Sequence, residues 1–139
     1  SSTLYLDGIK VGDGGQTTGR LNLTVFPTSD FKFNLALFGA DNIFSNINAE
    51  DFDEPDGGNA QLPAYKLFDF GAGYNFDLFG NNAYLRLNIN NVFDEEYYPE
   101  MENNYLATDD STNYMGINTA NRIFPGWGRT WNVGLTYRF

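Results

Sequence analysis

The last eleven residues, 129–139 (RTWNVGLTYRF), constrain the fold most, because their apolar and polar side chains alternate strictly. Successive side chains of a β-strand point to opposite faces, so the pattern predicts a strand with one apolar face. That face begins and ends with aromatic residues and consists of Trp131, Val133, Leu135, Tyr137 and Phe139. A stripe of this kind is typical of a strand that crosses a bilayer with aromatic rings at both water–lipid boundaries. We therefore predict that these side chains face lipid.

Charge and composition exclude several classes of protein. The 139 residues carry a net charge of −10, and no Cys or His is present. Nucleic-acid binding needs clustered Lys and Arg, so we expect no nucleic-acid partner. Disulfides, Cys/His metal sites and histidine-based catalysis are excluded as well. Aromatic residues make up 17% of the chain, although the mean hydropathy is −0.40. This combination fits a membrane barrel or an aromatic-rich soluble sandwich.

Alternating segments recur along the chain and predict further strands. They are Gly19–Phe26, Phe31–Phe38, Phe68–Leu78 and Tyr84–Phe93, with a weaker one over Thr3–Ile9. Pro27–Asp30 and Gly80–Asn82 are predicted as tight turns because they contain Pro, Gly, Asn and Asp.

The connections differ in length, and the difference predicts a topology. Residues 41–63 and 94–128 are predicted as long polar loops that alternate with the tight turns. Short turns at one end and long loops at the other are typical of an up-and-down outer-membrane barrel. The polar sides of the strands would then face a lumen; they contain Arg20, Asn22, Lys32, Asn34, Asp69, Asn75, Asp77, Arg86, Asn88, Asn90, Asn132 and Arg138.

The number of strands is too small for a closed barrel. About six strands are predicted, whereas small barrels need about eight. Unpaired strand edges in lipid leave backbone groups unsatisfied at a cost of several kcal/mol each. We therefore expect residues 1–139 to be one part of a larger barrel, as a fragment, a cut polypeptide or one chain of a split barrel.

Four segments resemble TonB-dependent outer-membrane receptors, in the order in which that family carries them. Gly128–Phe139 (GRTWNVGLTYRF) resembles their C-terminal strand, and Asn88–Tyr98 (NINNVFDEEYY) resembles the strand before it. Leu62–Phe76 (LPAYKLFDFGAGYNF) is similar to the preceding strand, and Leu4–Pro27 to a segment common in Bacteroidetes members. The first two motifs together are fairly specific, and the four cover nearly the whole chain.

The resemblance implies the fold and function of a complete receptor. Such a receptor is a barrel of about 22 strands with an N-terminal plug, in the outer membrane of a Gram-negative bacterium. TonB acts through the plug to import a large scarce solute, such as an iron chelate, cobalamin, a glycan or a peptide. This chain would supply the last six or so strands, and the plug and the other strands would be its partners. The resemblance also implies that the barrel-assembly machinery reads the final strand. No cofactor and no enzymatic activity are expected.

Three acidic or glycine-containing motifs have competing interpretations. Asp51, Asp53 and Asp56 are weak candidates for a metal site, but the EF-hand spacing is broken and a solvated acidic loop explains them as well. The acids of residues 94–96 resemble an acid–base cluster, although adjacent acids after a strand are usually loop charge. Gly71 and Gly73 form a GxG that opens no helix, so we expect them to mark bends or close packing in the lumen rather than nucleotide binding.

Aromatic residues in the second long loop have two candidate roles. Phe93, Tyr97, Tyr98 and Trp127 are predicted to belong to the interfacial aromatic girdle. Tyr105 and Tyr114 lie in mid-loop, where they would contact a ligand or neighbouring loops. On the lumen side, Arg86 and Arg138 are predicted to form salt bridges or contacts with the plug.

Three alternatives to a TonB-dependent receptor remain open from the sequence. A passive porin-like channel and an adhesin would share the barrel. A soluble acidic β-sandwich that binds glycans would instead bury its apolar faces between two sheets. Dependence on detergent separates the soluble alternative from the membrane ones.

Overall fold

The computed structural model describes residues 3–12, 14–47, 52 and 58–139, and its regular secondary structure is β-strand. Ten strands occur in this part of the chain: β1 (Gly15–Val25), β2 (Phe31–Phe44), β3 (Gln61–Leu62), β4 (Tyr65–Leu78), β5 (Asn81–Asn90), β6 (Glu100–Glu102), β7 (Asn113–Tyr114), β8 (Ile117–Asn118), β9 (Arg122–Phe124) and β10 (Thr130–Tyr137). Strand pairs with an assigned register are antiparallel. The predicted all-β antiparallel fold is confirmed.

None of the described residues belongs to a helix long and apolar enough to cross a membrane.

The main sheet follows the order of the chain. Its strands lie in the order β1-β2-β4-β5-β10, and β3 pairs with the end of β2. Each long strand therefore pairs with the long strands before and after it, as predicted for an up-and-down meander. Within the described residues β1 and β10 are the edge strands, and the sheet does not close on itself.

Two tight turns lie at the same end of the sheet. The one predicted at Pro27–Asp30 is confirmed, whereas the one predicted at Gly80–Asn82 begins one residue earlier and is shorter, because Asn81 and Asn82 belong to β5. The first connects β1 to β2, and Thr28 Oγ1 accepts hydrogen bonds from the backbone N–H groups of Asp30 (3.3 Å) and Phe31 (3.2 Å). The second is Phe79–Gly80, between β4 and β5. The Asn75 N–H donates to the Asp30 carbonyl oxygen (2.9 Å), which brings the start of β2 beside the far end of β4.

The strand predicted over Thr3–Ile9 is wrong. Residues 3–6 have no regular structure, and Asp7 and Gly8 form a turn in which Gly8 has a φ of 77°. A left-handed residue interrupts an extended run, which explains the failure of the weak alternation. Asn59 holds this segment in place, since its side chain accepts from the Lys10 N–H (2.8 Å) and donates to the Lys10 carbonyl oxygen (3.1 Å).

The two long loops are more ordered than predicted. β2 continues to Phe44 and pairs there with β3, so the prediction of a loop from residue 41 is wrong. The second predicted loop contains two further antiparallel pairs, β6 with β9 and β7 with β8. Strands of two or three residues carry too few alternating positions to be recognised in a sequence.

The chain divides into two compact units. The loop unit comprises Ser1–Thr18, Ala40–Tyr65 and Glu96–Gly126, and the sheet unit comprises Gly19–Gly39, Lys66–Glu95 and Trp127–Phe139. Buried apolar side chains of the described residues lie almost entirely in the loop unit: Ala40, Ile43, Phe52, Ala60, Leu62, Tyr98, Met101 and Ile117. In the described sheet unit the one buried apolar side chain is Ala83. The loop unit therefore has a hydrophobic core, and the sheet unit is held by its backbone ladder.

The Phe79–Gly80 turn is strained, and relieving the strain should stabilise the hairpin. Phe79 (φ 53°) and Gly80 (φ 80°) are both left-handed, as in a type I′ turn, which favours Asn at the first position. A left-handed conformation costs most non-glycine residues about 1–2 kcal/mol. We expect Phe79→Asn to raise the free energy of unfolding by about 1 kcal/mol, measured by chemical denaturation. Gly80→Ala, which adds strain at the next position, should lower it; a change of the same sign in both variants would contradict this account.

Candidate functional site

One face of the sheet unit is apolar from edge to edge, because the strand register aligns like with like. Trp131 pairs with Ile89, and Ile89 with Phe70. Towards the tight turns, every second residue of β10 also pairs with an apolar residue of β5. Val133 is opposite Leu87, Leu135 is opposite Leu85, and Tyr137 is opposite Ala83. The apolar face is completed by β1 and β2. It consists of Leu21, Leu23, Val25, Phe31, Phe33, Leu35, Leu37, Phe68, Phe70, Ala72, Tyr74, Phe76, Ala83, Leu85, Leu87, Ile89, Trp131, Val133, Leu135 and Tyr137.

Aromatic rings border this apolar face at both ends. At the end near the long connections, Phe68 packs on Phe93 with ring centroids 5.5 Å apart. Trp131 lies at the level of Phe70, because both are aligned with Ile89 of β5. At the tight-turn end, Phe31 stacks on Tyr74 at 4.2 Å. We call the first group (Phe68, Phe70, Phe93, Trp131) the loop-end row and the second (Phe31, Tyr74, Phe76, Tyr137) the turn-end row.

The five side chains predicted to face lipid lie together on β10 or directly after it, and all are exposed. Trp131 is 71% exposed and Leu135 is 59% exposed, while Phe139, beyond the end of β10, is fully exposed. From Trp131 to Tyr137 the strand rises about 20 Å. This length is close to the apolar band of about 25 Å that transmembrane barrels present to lipid.

The opposite face of the sheet unit is polar and is organised by side-chain amides. Asn88 Nδ2 donates to Asn132 Oδ1 (3.0 Å), and Asn90 Nδ2 donates to Thr130 Oγ1 (3.1 Å). An open groove of about 470 Å³ runs along this face, and Asn34 also lines it. The groove therefore offers neutral hydrogen-bonding groups along most of its length.

Gly71 and Gly73 belong to this polar face, at the middle of β4. A Cβ on Gly71 would lie 3.3 Å from both Asn34 Nδ2 and Asn88 Oδ1, and one on Gly73 would collide with the phenol ring of Tyr84. The two glycines leave room for the side chains of neighbouring strands, which agrees with the close packing predicted for them.

Asn91, directly after β5, holds the end of the sheet together. It is 4% exposed, and its side chain spans two segments. Nδ2 donates to the carbonyl oxygens of Glu95 (2.9 Å) and Trp127 (3.2 Å), and Oδ1 accepts from the Glu95 N–H (2.8 Å). Its backbone N–H donates to Asp69 Oδ1 (2.9 Å). The left-handed φ of 50° aims these groups, and Asn tolerates that conformation well.

Asp94 completes the same junction. Its Oδ1 accepts a hydrogen bond from the Arg129 backbone N–H (2.6 Å), directly before β10. The carboxylate is thereby used to position the final strand. This contact explains Asp94 without acid–base chemistry.

Replacing Asn91 should weaken the junction strongly. Asn91→Ala removes three hydrogen bonds and leaves backbone groups unsatisfied, at about 1–3 kcal/mol for each buried group. We expect a loss of about 3 kcal/mol in the free energy of unfolding. Hydrogen exchange should show faster exchange of the β5 and β10 amides. Asn91→Asp, which keeps the acceptor and the preference for positive φ but loses the Nδ2 donor, should lose part of this stability; an Asn91→Asp protein as stable as the wild type would contradict a role for the Nδ2 donor.

Tyr105 lines a small pocket in the loop unit. The pocket has a volume of about 320 Å³, and Gln61, Leu106, Ile117 and Asn121 also line it. Asn121 fixes the Tyr105 backbone, since Oδ1 accepts from its N–H (2.9 Å) and Nδ2 donates to its carbonyl oxygen (2.8 Å). The ring is 55% exposed. Tyr105 is thus held where it could contact a ligand.

Tyr114 is in a different environment from Tyr105. Its hydroxyl donates to the Glu96 carboxylate (3.2 Å and 3.3 Å), and its ring meets Tyr98 edge to face at 6.4 Å. Tyr114 is not among the residues that line the Tyr105 pocket. The structure therefore does not bring the two candidate ligand-binding tyrosines together at that pocket.

The girdle assignment is wrong for Tyr98, because this side chain is 6% exposed and its hydroxyl donates to the Glu96 carboxylate. A buried phenol cannot face lipid. Tyr97 packs against Tyr65 at 4.5 Å within the loop unit. Phe93 and Trp127, at 74% and 83% exposure, are the two of the four that remain exposed.

The Tyr98 phenol makes the stability of the loop unit sensitive to alkaline pH. The hydrogen bond to Glu96, followed by burial and the Glu96 charge, raises the pKa of Tyr98 above its ordinary value of 10.0. Below about pH 10 the phenol is protonated in both the folded and unfolded chains. At higher pH the unfolded chain loses its proton first, so the free energy of unfolding falls, by up to about 1.4 kcal/mol per pH unit.

We expect Tyr98→Phe to reduce this alkaline loss, while costing about 1 kcal/mol at neutral pH through the missing hydrogen bond. The measurement is the free energy of unfolding of both proteins from about pH 8 to about pH 11. Parallel pH curves for the two proteins would contradict the assignment.

The three candidates for an acidic metal site cannot be placed. Asp51, Asp53 and Asp56 lie outside the described residues. In the described part, residues 3–12, 14–47, 52 and 58–139, no three Asp or Glu side chains come together as a metal site would require.

The salt bridges predicted for Arg86 and Arg138 are not formed with any of the described residues. The ion pair found in that part of the chain joins Arg122 to Glu102, at 3.3 Å. Arg138 lies on the polar face beside Asn82, Tyr84 and Thr136, around a recess of about 300 Å³. A contact with a plug stays a prediction for both arginines.

In comparisons with known proteins, the chain matches no protein-family model, no curated protein and no solved structure.

Proposed function

We propose that this chain is the C-terminal part of a TonB-dependent outer-membrane transporter, and that it supplies barrel wall and extracellular surface. The observation that carries the proposal is the exposed apolar face of the sheet unit. Leu21, Trp131 and Leu135 are each more than half exposed, although they lie in an ordered sheet. Water disfavours such a face by about 25 cal/mol for each Å² of apolar surface.

Lipid explains the arrangement of this face better than a second protein sheet does. A lipid-facing wall needs an apolar band with aromatic rings at both boundaries, and the loop-end and turn-end rows fit these boundaries. A soluble sandwich needs apolar side chains interdigitated with a partner sheet. In the described sheet unit only Ala83 is a buried apolar side chain.

The polar face fits the lumen of such a barrel. Its polar side chains hydrogen-bond across the strands, Asn88 to Asn132 and Asn90 to Thr130, at exposed positions, as suits a wet or plugged interior. The open edges of β1 and β10 in the described chain would pair with the remaining strands, since lipid tolerates no unpaired edge.

The mechanism that follows belongs to the whole transporter. Extracellular loops would capture a large scarce solute, TonB would pull on the plug, and the solute would pass along the lumen. The loop unit, with Tyr105 at its pocket, would contribute to the capture surface. No residue of this chain is assigned a covalent step.

A pair of arginine substitutions on β10 tests the membrane part of the proposal. Leu135→Arg places a charge on the apolar face, which costs about 2–4 kcal/mol near the bilayer midplane. Thr136→Arg, the matched control, places the same charge on the polar face and should change stability by less than about 0.5 kcal/mol. The measurement is the fraction of protein in membranes that migrates as a compact form on gels before boiling. We expect Leu135→Arg to lose this form and Thr136→Arg to keep it.

Two results would contradict the proposal. A folded, monodisperse protein in buffer without detergent would favour the soluble glycan-binding sandwich. Solute uptake that continues after the proton gradient is collapsed would favour a passive channel, because TonB needs that gradient.

A further inference from the structure

A shallow recess interrupts the apolar face of the sheet unit beside its loop-end row. Gly19, Leu21, Leu37, Gly39 and Lys66 line it, and its volume is about 350 Å³. Arg20 of β1 also lines the recess, although its Nε donates to Asn22 Oδ1 (3.1 Å). We call these five residues the glycine recess.

The recess exists because Gly19 and Gly39 have no side chain to fill the space beside Leu21 and Leu37. Gly19 and Leu21 lie on the same side of β1, and Gly39 and Leu37 lie on the same side of β2, because side chains alternate. A Cβ built on Gly19 would have no heavy atom within 4 Å. The floor is therefore open, and the two leucines form its apolar walls.

Lys66 places a positive charge at the rim of this apolar recess. It precedes Phe68 and Phe70 on the same side of β4, so it lies about 13 Å beyond Phe70 along the strand. Its side chain is exposed and has no carboxylate partner among the described residues. In a chain with only 8 Lys and Arg against 18 Asp and Glu, a lysine on the apolar face needs its own explanation.

We propose that the glycine recess binds one acyl chain of an anionic, phosphate-bearing lipid, with the lipid phosphate paired to the Lys66 ammonium. The inference rests on the proposed function, because only a bilayer would bring acyl chains to this face. An occupant must be apolar beside Leu21 and Leu37 and negatively charged at Lys66. A membrane lipid has both properties in this order, since its headgroup lies at the level of the aromatic belt, and Lys66 precedes Phe68 of the loop-end row by two residues on β4.

The two parts of the site contribute separately to binding. A lysine near a membrane surface changes the affinity for an anionic lipid by about fivefold. Contacts of the acyl chain with the recess depend on shape and not on the charge of the headgroup. Substitutions at Lys66 and at Gly19 should therefore have different effects on anionic and zwitterionic lipids.

The test uses the protein isolated from membranes in detergent, stripped of lipid and incubated with phosphatidylglycerol or phosphatidylcholine. Native mass spectrometry counts the lipids that stay bound. We expect Lys66→Gln to retain about fivefold less phosphatidylglycerol. The change should be smaller for phosphatidylcholine, because its choline group neutralises the charge of the phosphate. Gly19→Leu fills the recess and should reduce the retention of both lipids.

Matched controls lie on the polar face of the same sheet. Lys32→Gln removes a charge from the opposite side of β2. Gly134→Leu adds the same side chain at a position where a Cβ would meet only Arg86 Nη2, at 4.0 Å. Both controls should retain lipid as the wild-type protein does.

Three results would overturn the inference. Equal phosphatidylglycerol retention by Lys66→Gln and Lys32→Gln would exclude the phosphate contact. Equal retention by Gly19→Leu and Gly134→Leu would exclude the acyl chain. Loss of a dimer, and not of lipid, in Gly19→Leu would assign the recess to a second copy of this chain. In each of these cases, a compact form of the protein on unboiled gels would show that the barrel proposal still stands. If the wild-type protein has no such compact form, the barrel proposal itself is rejected.

Discussion

The register in which β5 pairs with β4 and β10 is the constraint on which both faces of the sheet unit depend. Leu85 is opposite Tyr74 on one side and Leu135 on the other, and this alignment repeats along the strands. A slip by one residue would move every apolar side chain of a strand to the polar face. Few buried side chains oppose such a slip here, so the junction at Asn91 and Asp94 is the main local device that fixes where β5 ends and β10 begins.

The two units are stabilised by different terms. The loop unit contains fully buried Phe52 and Met101, and Met101 belongs to the short β6–β9 pair. The unit therefore gains stability by removing apolar surface from water. In the sheet unit, backbone hydrogen bonds and stacked rings such as Phe31 on Tyr74 hold the strands. Many of its apolar side chains remain exposed and are not used to form a core.

Much of the sheet could be predicted from the sequence, because alternation over eight or more residues is a strong signal. The long strands, the two tight turns and the apolar side of β10 are found close to where the pattern indicates, although several strand and turn bounds differ by a few residues. The loop unit could not be predicted, since its order comes from long-range contacts. Ser45 Oγ, for example, donates to the carbonyl oxygen of Met101 (2.8 Å), 56 positions away.

Some residues carry signals that only the structure explains. Asn91 stands in a run of asparagines, and nothing in the pattern separates it from its exposed neighbour Asn90. Tyr98 follows Tyr97 in the sequence, yet only Tyr98 is buried. Lys66 stands in an otherwise apolar and aromatic stretch, and that mismatch is the one sign in the sequence of the recess beside it.

The strained Phe79–Gly80 turn has a consequence for the order of folding. A turn that favours its own conformation can nucleate a hairpin, but Phe79 opposes the left-handed geometry that this turn requires. We therefore expect the pairing of β4 with β5 to begin in the strands, at positions such as Tyr74 and Leu85, and the turn to close late. For a lipid-facing wall, as proposed, the hairpin would form only after its strands have met lipid. Contact with lipid, and not the turn, would then initiate the sheet.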